Sequence, residues 1–282
     1  MRRPIFVVIL SAVVAVLAFS ACDRQRGARV AYCPEDDFEA RPIYGGIAVE
    51  ITGYVGSNWE VNIPSKIRDL PVTHIGDGAF RYRNLTSVTI PDSVMIIGNE
   101  AFAQNQLTSV TIPDSVTIVG SEAFTRNHLI NVTIGSGITH IGWGTFADNR
   151  LTSVAIPDNV THTGGRTFEN NQLTSVTIGN SVTHIGWRTF ASNRLANVTI
   201  PNSVTTIGER AFENNQLTSV TIGNSVTTIE DRAFVNNQLA NVTISGNVTT
   251  IGEGVFENNQ LTSVIIGNSV TTIGGGHLRI IS

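Results

Sequence analysis

The chain has 282 residues, of which only 14% are charged; Lys is almost absent and the formal charge at pH 7 is -4. Without a concentrated positive field to hold phosphates, nucleic acid is excluded as an expected partner. Length alone allows two ordinary domains, but self-similarity at a fixed period overrides that prior and points to one elongated domain.

Residues 1–21 follow a targeting grammar. Arg2 and Arg3 precede an apolar run over 5–19 that is too short to span a bilayer as a mature helix, and it reads as a secretory signal. Its removal takes the 18 basic residues to 16 against an unchanged 22 acidic ones, a formal charge of -6. The run closes on "LAFSAC", with Ser20 and Ala21 before Cys22. This resembles the lipobox of bacterial lipoproteins, in which the Cys is acylated and becomes the new N-terminus. Phe19 stands where that motif usually has Leu or a similar aliphatic, so ordinary cleavage, for instance after Ala18, is the rival reading. Two or three acyl chains on Cys22 would make a firm membrane anchor, because one chain alone binds only marginally. Under ordinary cleavage Cys22 and Cys33 can pair instead. Residues 22–41 are charged and irregular, with "PEDDFE" at 34–39, and read as a solvated tether.

The remainder is a repeat. "NNQLTSVTIGNSVT" stands at 170–183, returns at 214–227 and recurs almost unchanged at 258–271. Leu85, Leu107, Leu129, Leu151, Leu173, Leu195, Leu217, Leu239 and Leu261 keep a step of 22 residues, and Phe keeps the same step from Phe80 to Phe256. Residues 42–80 read as a capping unit and first repeat, 81–273 as the 22-residue array, and 274–282 as an irregular tail. Within one unit the inward positions are Leu195, Val198, Ile200, Val204, Ile207, Ala211 and Phe212. Alternation in "SVTI" predicts a strand with one buried face. It ends at a corner marked by Pro91, Pro113, Pro157 and Pro201, or by Gly135, Gly179, Gly223 and Gly267. "SVTTIG" predicts a second short extended segment, and "ERAF" a closing 3₁₀ or helical turn. Seven inward side chains cannot offset the entropy of ordering a unit alone, so stability has to come from stacking. Nine or ten coils at ~4.8 Å give a rod or arc about 45 Å long.

Asn105, Asn127, Asn149, Asn171, Asn193, Asn215, Asn237 and Asn259 each follow a Phe by three residues. An inward amide ladder that satisfies backbone groups explains this better than a row of ligands. The N-V-T triplets at Asn131, Asn159, Asn197, Asn241 and Asn247 are formal glycosylation sequons that fall out of strand chemistry.

The "IPDSVTTIG..AF..N..L" units resemble the BspA-like leucine-rich repeats of bacterial surface proteins over about 43–272, and 51–80 resembles that family's entry unit. The resemblance implies a leucine-rich-repeat solenoid, β-rich, with one main parallel sheet. It further implies a cell-surface adhesin that contacts host matrix proteins or other bacteria. Two departures bear on curvature: the family often has Cys where this chain has Asn, and its unit is usually one residue longer.

Columns that never vary support the fold, so deviations are where binding is sought. The outward Ser, Asn and Thr of the first strand form an uncharged hydroxyl face, best read as a soluble surface with Thr–Thr cross-strand contacts. In the second segment His140, His162 and His184 share one column. Three residues beyond the first and third stand Trp143 and Trp187, with Gly165 between them and Arg166 and Arg188 adjacent. These His, Trp and Arg residues are the candidate partner-binding patch, since Trp and Arg are enriched at binding hot spots. Gly165 is expected to leave a slot ~10 Å wide between the indoles; the bland alternative is drift among tolerant surface positions. Parallel imidazoles on a sheet do not converge on a ~2.1 Å metal shell, so no metal is assigned. A pH-sensitive patch fits three adjacent imidazoles better. No cofactor is called for, and neither a paired-carboxylate cleft nor a strained nucleophile turn is evident, so the chain reads as a non-enzyme.

The expected function is therefore binding of an extracellular protein or glycan by a secreted solenoid, lipid-anchored through Cys22 at the bacterial envelope or surface. A structural spacer or coat component is the rival, and an ice- or crystal-binding array of Thr rows a third reading. After Ile273 the pattern collapses to "GGGHLRIIS", and with Ile265 replacing an outward Thr this end is expected to be a sticky edge for self-association.

Overall fold

The computed structural model describes residues 32–244 and 246–275. They form a β-solenoid of about ten turns in which each 22-residue unit makes one turn. The expected parallel architecture is present, but the labour is divided differently from the sequence reading. The short second segments build the one continuous sheet: Ile96–Ile97, Ile118–Val119, His140–Ile141, His162–Thr163, His184–Ile185, Thr206–Ile207, Thr228–Ile229, Thr250–Ile251 and Thr272–Ile273 pair in parallel, in order. An N-terminal hairpin, Phe38–Ile43 with Ala48–Tyr54, joins this sheet through Leu70–Ile75, so residues 38–41 are paired strand with Phe38 buried and not the solvated tether expected of them.

The longer "SVTI" strands pair only in twos, as Ser109–Ile112 with Asn131–Ile134, Ser153–Ala155 with Ser175–Thr177, and Asn197–Thr199 with Ser219–Thr221. The corner residues explain this. In these three pairs the first strand is followed by Pro113, Pro157 or Pro201 and the second by Gly135, Gly179 or Gly223. A Cβ on any of those glycines would collide with the proline carbonyl of the coil before, so a missing side chain lets the two coils close up. The following side chain fastens the pair: Asp114 Oδ1 accepts from Ser136 N–H at 2.7 Å, and Asp158 Oδ1 from Asn180 N–H at 2.7 Å. Asp114 is held below the usual carboxylate range by the backbone and hydroxyl bonds from Ser136.

The expected helical closing turn is not helical. Glu100, Glu122, Arg166, Arg188, Arg210 and Arg232 all take φ between 52° and 58°, and Gly78, Gly144 and Gly254 occupy the same column. A left-handed residue cannot continue a right-handed helix. The turn's N–H groups go instead to the next coil, as from Phe102 to Ala123 O and from Phe146 to Thr167 O at 2.8 and 2.9 Å. Stacking of coils thus outcompetes the local helical bond.

Inside, the Phe rings from Phe80 to Phe256 form one column with centroids 5.0–5.7 Å apart and planes within 16° of parallel. Tyr54 and Phe38 close its N-terminal end, Tyr54 stacking on Phe80 at 5.5 Å. Leu151, Leu173 and Leu195 are fully buried.

The Asn ladder is present and bridges coils. Asn149 Nδ2 donates to Phe124 O of the preceding coil at 3.0 Å and to Phe146 O of its own at 3.1 Å, while its Oδ1 accepts from Leu129 N–H at 3.0 Å. Asn105, Asn127, Asn171, Asn193, Asn215, Asn237 and Asn259 repeat the pattern. Asn149→Leu strands the Leu129 N–H in the core, at about 1–3 kcal/mol, and takes from the Phe124 and Phe146 carbonyls one of the two amide bonds that each accepts. We expect a loss of roughly 2 kcal/mol in chemical denaturation, and a loss below about 1 kcal/mol would contradict this role for the ladder.

Candidate functional site

The three histidines stand in register on the exposed face of the continuous sheet, His140 beside His162 and His162 beside His184. Their rings stack 5.4 and 6.1 Å apart with planes within 9° of parallel. Each Nδ1 lies 2.9–3.0 Å from the hydroxyl of the preceding Thr. Thr161 and Thr183 donate their own hydroxyl protons to Thr139 O and Thr161 O, both at 3.3 Å. Each of these hydroxyls thus stands between the ring nitrogen beside it and a backbone carbonyl of the preceding coil. Parallel rings at this spacing do not bring three nitrogens to a common ~2.1 Å shell. Among the described residues no group of three or more His, Cys, Asp or Glu is arranged for a metal ion.

The row extends beyond the three residues that the sequence singled out. Ile118 and Ile96 precede His140 in register, then His74, whose Nε2 meets Tyr44 Oη at 3.0 Å. His74 lies below the usual imidazole range because it is partly buried, an effect that the nearby Glu50 carboxylate opposes.

Trp143, Trp187, Arg166 and Arg188 lie on the adjoining turns. The indoles are 37% and 39% exposed, enough to contact a partner without rearrangement. The expected open slot at Gly165 is not there. A Cβ on Gly165 would sit 3.2 Å from Trp143 Nε1 and 2.9 Å from Trp187 O: the Trp143 indole leans over the glycine and covers the backbone that a side chain would otherwise shield. Arg166 completes the cover, its guanidinium 4.8 Å from the Trp143 ring centre, and Arg188 stands 5.7 Å from that of Trp187.

Glu169 joins the two arginines, and sequence reasoning missed it. It is 3% exposed, pairs with Arg166, and accepts from Arg188 Nε at 2.6 Å; Arg188 also reaches Glu213 at 2.6 Å. The signal in the column was faint: the residue after Phe is Glu at 169, 213 and 257, but Ala191 and Val235 stand there in coils whose turns also carry an arginine. The structure therefore resolves the seven residues into two groups held by their own contacts, a stacked imidazole row and a Trp/Arg/Glu turn cluster. A shallow cavity beside Trp143 is lined by Glu122, Arg126, Asp148 and Arg166.

Of the other expected sites, Cys22 and residues 276–282 lie outside the described residues. Ile265 is 61% exposed, as the loss of an outward Thr implies. Among the described residues no helix is long and apolar enough to cross a membrane.

A parallel solenoid whose sites are surface rows defines a repeat scaffold. The model of the BspA type leucine rich repeat region matches residues 73–195 and 164–278, and the chain belongs to that family. No curated protein matches it. Among solved structures it is similar to a leucine rich cell surface protein from Faecalibacterium prausnitzii, with 26% identity over 87% of this chain and 78% of that one, and a TM-score of 0.63. It shares its fold with the leucine rich repeat protein of T. pallidum, at 22% identity over 80% of this chain and 88% of that one, TM-score 0.53. The pneumococcal vaccine antigen PcpA has the same fold, at 21% identity over 83% of this chain and 68% of that one, TM-score 0.52.

Taking away one of the two cations that hold a buried carboxylate leaves its charge less compensated, and after Arg188→Ala Glu169 keeps Arg166 alone. Arg188→Ala should therefore cost about 2–3 kcal/mol in chemical denaturation, and Glu169→Gln less. Equal losses would mean that the pairing does not carry the cost.

Proposed function

We propose that the chain is an exported, non-enzymatic binding scaffold that contacts a protein or glycan partner at the bacterial cell exterior. The contact surface is Trp143, Trp187, Arg166 and Arg188 with the neighbouring row His140, His162 and His184. One observation carries this reading: two partly exposed indoles, each with a guanidinium stacked on it, interrupt an array whose outward columns are otherwise largely Ser, Thr and Asn. Such residues dominate binding energy where they occur, and their preset contacts lower the entropy lost on docking. The similarity to a cell surface protein supports the exterior location. Trp143→Ala with Trp187→Ala should lower binding to immobilised matrix proteins or whole cells at least about tenfold, or 1.4 kcal/mol. Unchanged binding with intact folding would remove the patch.

The "LAFSAC" segment supports anchoring through an acylated Cys22. Its sulfur can carry a thioether-linked lipid or a disulfide to Cys33 but not both, so intact mass of the purified protein decides: an added diacylglyceryl group is expected, and a lipid-free chain overturns the anchor. The exposed Ile265 supports self-association through that end, read as concentration-dependent sedimentation.

The near-identity of 170–183, 214–227 and 258–271 favours a second reading, a spacer that supplies reach alone. Deleting the 44 residues 179–222, one close-paired set of coils, would leave a spacer working and cripple a site that needs Trp187 and Arg188.

A further inference from the structure

Trp143, Gly165 and Trp187 occupy the column that begins with Asp77 and Asn99 and includes Asp231. In that column a side chain serves the backbone of the next coil. Asn99 N–H donates to Asp77 Oδ1 at 2.6 Å, Ser121 N–H to Asn99 Oδ1 at 2.9 Å, and Glu253 N–H to Asp231 Oδ1 at 2.7 Å. Glu209 N–H is served by Glu230 Oε2 at 2.9 Å. The N–H groups of Trp143, Gly165 and Trp187 have no acceptor among the described residues. The cause is chemical: the side chains before them are Ser121, Trp143 and Gly165, and none carries a carboxylate or amide. Asp77 and Asp231 N–H also lack one, but Asp77 begins the column and Asp231 stands singly between two coils that are served.

Three adjacent coils at the ~4.8 Å strand repeat thus line up backbone donors. The Trp143 and Trp187 indole N–H groups add two more, beside the Arg166 and Arg188 guanidiniums, whose charge Glu169 and Glu213 balance. The acids in direct contact with these arginines, Glu169 and Glu213, are already bonded to them. Arg126 and Asp148 face each other at 3.7 Å on the neighbouring turn, beside Glu122. A row of backbone N–H groups that no side chain serves selects an oxygen acceptor.

We propose that this row receives the carboxylates of acidic side chains on a protein partner, which approach from outside the Trp143 indole and supply the oxygen that Asp77 supplies to Asn99. The inference rests on the contact surface proposed above and names its partner's chemistry. The protein itself supplies the precedent, since the oxygens that serve this column elsewhere are side-chain carboxylates and an amide, at 2.6–2.9 Å.

The test is a ¹H–¹⁵N titration of the full chain with a capped oligo-aspartate peptide, with oligo-asparagine and oligogalacturonate as parallel arms. The expected result is a downfield shift of the Trp143, Gly165 and Trp187 amides with oligo-aspartate alone. Equal shifts with oligo-asparagine would overturn the carboxylate, and shifts with oligogalacturonate alone would replace the protein partner by an acidic glycan. Trp143→Asp supplies an internal carboxylate to Gly165 N–H and should weaken the peptide at least about tenfold, while Trp143→Ala should weaken it less. Equal weakening would assign binding to the indole and overturn the backbone row. Ser121→Asp, which caps Trp143 N–H and leaves every patch side chain in place, should erase the Trp143 amide shift without unfolding the chain. Amides that stay silent to the peptide, in a protein whose double Trp→Ala variant still loses cell binding, would sink this inference and leave the contact surface standing.

Discussion

The structure depends on one amide per coil. Each buried Asn joins the Phe carbonyls of two successive coils and receives a Leu N–H from the earlier one, and those three bonds can be made together only if adjacent coils have equal length. A buried amide without partners is costly, so a coil one residue longer or shorter would forfeit the ladder as well as the packing. Register is thereby imposed everywhere at once. The Phe column, the short sheet strands and the turn carbonyls all fall into vertical rows because the Asn does.

Vertical alignment is also what creates functional surface. A histidine on one coil is an isolated exposed side chain; three on successive coils become a stacked row in which each Nδ1 meets the hydroxyl of the preceding Thr. Two tryptophans separated by a glycine become a covered platform with arginines laid on it. The same logic applies to acids that meet arginines one coil away: Glu169 is buried because Arg166 and Arg188 surround it, and the arginines are held in place because it is there. The scaffold converts small differences between near-identical coils into organised local chemistry.

Most of the fold was legible in the sequence because a repeat of one length removes the search over topologies. The 22-residue step, the inward columns and the amide ladder follow from periodicity and from the need to satisfy buried polar groups. The two misreadings have a common origin. "ERAF" suggests a helical turn and "SVTI" the dominant strand when judged as isolated segments. Neither judgement includes the neighbouring coil, whose carbonyls take the turn's N–H groups and whose proline corner limits strand pairing to twos.

The candidate site divides along the same line. Column position told which residues deviate: His140, His162, His184, Trp143, Trp187, Arg166 and Arg188. Only the tertiary structure decided that the indole of Trp143 covers Gly165 rather than flanking a gap, and that Glu169 ties the arginines together. Side-chain direction, burial and the fate of each N–H depend on atoms contributed from a coil 22 residues away. A linear sequence specifies which residues are one turn apart, whereas the distances and orientations between them exist only once the turns have closed and stacked.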